Sequence, residues 1–145
     1  MHTQFYTFGY SSNGEEASEN RYFVEAEFTN LLNERIDLKQ YGNAIGSMIL
    51  RSDSRPKKHD QKVEYNPVIG QLDVILPIES SFLKKASNPL IFERLKSALL
   101  SVLSNYDGIP RVINLGALIR DIASLEYADI RRMFGSSSDK KDAPE

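Results

Sequence analysis

A chain of 145 residues, 41% apolar and 26% charged, can bury a core as one domain and is neither disordered nor fibrous in composition. It has no cysteine, which excludes disulfides and thiolate metal sites and suits a reducing compartment. Its net charge of -2 argues against a dedicated nucleic-acid binder, and no stretch reaches the ~20 apolar residues that span a bilayer.

Phe5, Tyr6, Phe8 and Tyr10 open the chain with too many aromatics for a loose tail, and read as a short strand or a segment packed on the domain edge. Met1–Tyr6 carries neither the basic start nor the apolar run of a secretion signal, so the expected address is the cytoplasm. Ser11-Ser12-Asn13-Gly14 marks a turn.

From Arg21 the pattern has period two: Tyr22, Val24, Ala26 and Phe28 alternate with Phe23, Glu25 and Glu27. This predicts a half-buried strand with a largely polar second face. Ile36 and Leu38 resume the alternation as a hairpin return, and Tyr41-Gly42-Asn43 turns the chain. A third strand is expected over Ala44–Arg51. Ser52–Gln61 holds no apolar residue and reads as a charged loop. Lys62–Tyr65 is a short strand stopped at Asn66-Pro67. Leu72, Val74, Leu76 and Ile78 make the clearest strand, which Pro77 should end.

Helices follow. Asn88 is the expected N-cap, with Pro89 at the first helical position. Ile91, Phe92, Leu95, Ala98, Leu99, Val102 and Leu103 then recur at threes and fours, a broad apolar stripe. Asn114 caps a second helix with the stripe Leu115, Leu118, Ile119, Ile122 and Leu125, continuing with a bend through Ile130, Met133 and Phe134. Residues 136–145 read as a disordered tail after a single domain over 1–135. Strands first and helices last predict an α+β fold: a mainly antiparallel sheet of about five strands, with two C-terminal helices packed on one face.

The chemistry-bearing residues are sparse. The two histidines, His2 and His59, have no neighbours resembling a triad or a metal-binding helix. No phosphate-cradling glycine loop or nucleophile elbow occurs. Two apart on a strand, Glu25 and Glu27 would stand about 7 Å from each other on one face. Catalysis, a contact surface and an ordinary solvated face all remain open to that pair. Charge is unevenly spread: Glu15, Glu16, Glu19, Glu25, Glu27, Glu34 and Asp37 precede the basic run Lys39, Arg51, Arg55, Lys57, Lys58 and Lys62. No aromatic stacking platform is interleaved with those bases.

A strand with glutamates over 22–28 leads to Ile36-Asp37-Leu38-Lys39-Gln40-Tyr41-Gly42 and a polar insertion. Then come Leu72-Asp73-Val74-Ile75-Leu76-Pro77-Ile78, the Phe92–Leu103 helix and a terminal helical segment. This arrangement resembles the small immunity proteins encoded beside bacterial polymorphic toxins, including those of contact-dependent growth inhibition systems. The resemblance covers about residues 22–125. It implies a cytoplasmic, non-catalytic protein that binds a cognate toxin domain and blocks its active site or substrate surface. Such toxins are often nucleases, whose basic grooves an acidic partner would occupy. The partner-binding residues expected on this basis are Glu25, Glu27, Glu34 and Asp37, with Tyr41 as an anchor. No cofactor, metal, membrane or small-molecule substrate is expected. The competing reading is a nucleic-acid-associated or regulatory adaptor protein that uses the basic run.

Overall fold

The structure is a computed structural model that describes residues 4–10, 19–53, 63–77, 86–105 and 113–134. Its elements are β1 (Phe5–Tyr10), α1 (Glu19–Arg35), a 3-10 turn (Leu38–Tyr41), β2 (Ser47–Asp53), β3 (Val63–Asn66), β4 (Gln71–Pro77), α2 (Asn88–Ser104), α3 (Leu115–Ala123) and α4 (Tyr127–Phe134). The fold is α+β, around a mixed four-stranded sheet in the order β1-β2-β4-β3.

Two of the three pairings, β1 with β2 and β2 with β4, are parallel, and only the β3–β4 hairpin is antiparallel. The expected five-stranded antiparallel sheet is corrected on both counts. The cause is α1. Residues 22–28 are helical, and a helix between β1 and β2 is the crossover that parallel strands need. Val24, Phe28, Leu31 and Leu32 are buried at i, i+4, i+7 and i+8, so α1 does present a helical apolar stripe. Ile36 and Leu38 form no hairpin return. They lead into the 3-10 turn, where Asp37 caps the first turn by accepting from the Lys39 N–H.

The strand register puts Phe5, Met48 and Leu72 in one cross-strand row, with Leu50, Val74 and Val63 in another on the same face. All six are buried. α1 packs on β1, α2 on β4, and the two helices touch each other, so both cover this face. The edge-to-face contacts of Phe92 with Phe28 (5.4 Å) and with Tyr127 (5.7 Å) link α2 to α1 and α4. The apolar stripe of α2 is buried as its spacing predicts. Its cap is Ser87 rather than Asn88: Ser87 Oγ accepts from the Leu90 N–H, while Asn88 is already helical and buried.

Asn114 caps α3 as expected, accepting from the Ala117 N–H at 3.1 Å. The C-terminal helix is not one bent element, since the chain turns at Ser124–Glu126 before α4 begins. Lys96 holds that break in place, its ammonium donating to the Leu125 carbonyl at 2.8 Å, where a cation suits a helix C-terminus. Among the described residues no helix is long and apolar enough to cross a membrane. The tail expected over 136–145 lies outside them.

Candidate partner-binding site

Because β1, β2 and β4 run parallel, their amino ends share one edge of the sheet, and several polar contacts gather there. Gln4 begins it. Its Oε1 accepts from the Leu38 N–H at 2.6 Å, and its Nε2 donates to Asp37 Oδ1 at 3.1 Å. Asn33, in the last turns of α1, accepts from the N–H groups of Gln4 and Phe5 at 2.7 and 2.9 Å. Its Nδ2 donates to the carbonyls of Phe5 and Thr29 at 3.1 and 3.2 Å. Strand, helix and 3-10 turn are thereby fixed to one another.

The 3-10 turn delivers Tyr41 to this edge. Its ring is only 8% exposed, and its hydroxyl donates to Asp121 Oδ2 of α3 at 2.5 Å. Burial, followed by the hydrogen bond and charge of Asp121, pushes the phenol up to about 12. The charge of Asp37 acts in the same direction on the same group. At neutral pH the phenol is thus a donor, and neither a base nor a nucleophile. Gly42 ends the turn at φ 145°, a backbone setting that favours glycine.

The expected site residues separate into two sets. Glu34 and Asp37 are exposed at the end of α1 and the start of the 3-10 turn. Glu25 and Glu27 are not: they lie within α1 and are 2% and 4% exposed. Their reading as the wet face of a strand is overturned. Two residues apart on a helix they diverge by about 200°, and each is packed into the protein. Tyr41 is a core residue with a captured hydroxyl rather than a protruding side chain. Asp121, about half exposed, belongs to the corner and was missed. Nothing in the string around Asp121 marks it, because its partner Tyr41 lies 80 positions away in sequence.

Beside this corner lies the β3–β4 turn. The Gly70 carbonyl accepts from the Gly46 and Ser47 N–H groups at 2.8 and 3.3 Å, and the Tyr65 hydroxyl donates to the Ala44 carbonyl at 2.9 Å. In the sheet, β1 and β4 are separated only by β2.

The opposite face of the sheet carries the ion pair Arg51–Asp73 at 2.9 Å, a diagonal cross-strand contact. Of the basic run, Arg51 is therefore committed to a carboxylate, and residues 54–62 lie outside the described set. Among the described residues no cluster of three or more His, Cys, Asp or Glu is placed to hold a metal ion. No protein family, curated protein or solved structure matches the chain.

Proposed function

We propose that this chain is a non-catalytic binding protein of the immunity type, which binds a cognate bacterial toxin domain in the cytoplasm and neutralises it. The observation that carries the reading is the set of exposed carboxylates held on fixed backbone at the amino edge of the sheet. There Glu34, Asp37 and Asp121 stand at least partly in solvent, interleaved with the exposed cations Arg35, Lys39 and Arg120, the last 4.0 Å from Asp121, on backbone held by the Gln4, Asn33 and Tyr41 hydrogen bonds. A preorganised acidic surface binds a basic one without paying to order itself. A nuclease, whose substrate groove is basic, is the toxin class that such a corner fits, and complementary charge speeds the encounter and rejects wrong partners.

The reading expects a large toxin gene directly upstream of this chain's gene, and the test is co-expression with the C-terminal domain of that toxin. The chain should restore growth, and native pull-down should recover the two proteins together. Glu34→Lys should slow association several-fold at low salt and weaken its salt dependence. Growth arrest that the chain does not relieve, or the lack of any complex, would sink the proposal. Retention on nucleic acid with a steep salt dependence and no protein partner would instead favour the adaptor reading.

A further inference from the structure

A strand at the edge of a sheet offers its backbone N–H and carbonyl groups to any chain that can pair with them. Proteins guard such edges with a short strand, a charge, a proline, a bulge or a covering element. Among the described residues the sheet has two edges, β1 and β3. β3 carries its own guards, being four residues long with an exposed Glu64. β1 carries none. Residues 4–10 read Gln-Phe-Tyr-Thr-Phe-Gly-Tyr, with no charge and no proline, and the register of Phe5–Tyr10 against Met48–Asp53 is unbroken by a bulge. Aromatic-rich and uncharged, this is the kind of segment that pairs with copies of itself.

The guard comes from α1. The Met48 N–H donates to the Gln4 carbonyl at 2.8 Å, so that carbonyl faces β2. Successive residues of a strand turn their backbone groups to opposite sides, and those of Phe5 therefore point away from β2, where a further strand would bond. Asn33 occupies that place. Its Oδ1 accepts from the Phe5 N–H at 2.9 Å, and its Nδ2 donates to the Phe5 carbonyl at 3.1 Å. One side-chain amide thus makes the two bonds that an adjacent strand would make. The amide is itself fixed, donating to the Thr29 carbonyl one turn back at 3.2 Å and accepting from the Gln4 N–H at 2.7 Å. Leu31 and Leu32 beside it are fully buried, so it cannot swing aside unless α1 leaves the core.

We infer that Asn33 plugs the β1 edge, and that the partner it excludes is β1 of a second copy of this chain. Two identical edges related by a two-fold axis meet antiparallel, each strand supplying the donors and acceptors that the other needs. Such a contact joins two four-stranded sheets into one, and residues 4–10 hold no charge that would oppose it. The inference is independent of toxin binding. It gives the Asn33 amide a role beyond satisfying Phe5: a merely satisfied pair would leave the oligomeric state unchanged on its removal.

The experiment follows the solution mass of the wild type, Asn33→Ala and Leu95→Ala by light scattering over a concentration series, with circular dichroism to verify folding. Leu95→Ala weakens the core but keeps the plug, and so controls for association caused by lost stability alone. The wild type and Leu95→Ala should stay at the monomer mass of 16.4 kDa, while Asn33→Ala doubles in mass as its concentration rises. Amide hydrogen exchange locates the contact: protection of the Phe5 N–H should vanish in dilute Asn33→Ala and return as the dimer forms. A folded Asn33→Ala that remains monomeric across the series overturns the inference. So does equal association of Leu95→Ala, or a dimer that leaves the Phe5 amide unprotected. If Asn33→Ala does not fold, Asn33→Ser, whose short hydroxyl cannot bridge both Phe5 groups, takes its place with the same outcomes.

Discussion

The amide of Asn33 faces Phe5 as the backbone of a neighbouring strand would, accepting from its N–H at 2.9 Å and donating to its carbonyl at 3.1 Å. Asn33→Ala leaves both groups without that partner, and an unsatisfied group of this kind costs about 1–3 kcal/mol. A loss of about 2–4 kcal/mol is therefore expected, read as a lower urea midpoint at unchanged slope. Asn33→Asp keeps the acceptor but not the donors, and should recover only part of that loss. Tyr41 yields a prediction with a sign. Its phenol is raised from 10.0 to about 12 in the folded chain. A raised value means its stabilisation is complete below the unfolded value and disappears as pH climbs from about 10 through about 12. The gap in urea midpoint between the wild type and Tyr41→Phe should therefore be constant up to pH 9 and close above pH 10. A gap that persists unchanged to pH 12 would show that folding does not raise this phenol, against its burial beside Asp121.

Among the elements, α1 is where sequence and structure part. A 17-residue helix hides behind the alternation of Tyr22, Val24, Ala26 and Phe28, because Glu25, Glu27 and Thr29 are buried alongside its apolar stripe. Hydrophobic periodicity detects a helix whose buried side is apolar, and carboxylates on the buried side erase that signal. By contrast α2, β3 and β4 were legible, since the positions their apolar spacing marks, from Val63, Leu72, Val74 and Leu76 to Ile91, Phe92, Leu95 and Leu99, are the buried ones. The burial separates three acids that look alike in sequence. Glu25→Lys/Glu27→Lys places two cations inside the protein and should cost about 3–5 kcal/mol or more, seen as loss of cooperative unfolding. Glu34→Lys, on the exposed side, should stay within about 0.5 kcal/mol of the wild type. Equal stability of the two variants would contradict the placement of α1.

For the molecule as a whole, one helix decides the direction of β1 against β2. Without α1 the link from β1 to β2 would be short and imply antiparallel pairing, whereas β2 and β4 run parallel with β3 between them in the chain. With it, β1 and β2 run the same way, and their amino ends come together with that of β4. The candidate site was legible only where chain neighbours are also spatial neighbours, as with Glu34 and Asp37. Asp121, Gln4 and Asn33 join it through contacts between residues distant in sequence, and no local pattern announces them. The parallel pairing also fixes an order of assembly. β3 meets β4 across a tight turn, whereas Phe5 must find Met48 from about forty residues away, a closure that loses entropy before it gains contacts. The hairpin should therefore condense early, with the first strand docking last. Val74→Ala should slow refolding, while Phe5→Leu should leave the refolding rate nearly unchanged and accelerate unfolding.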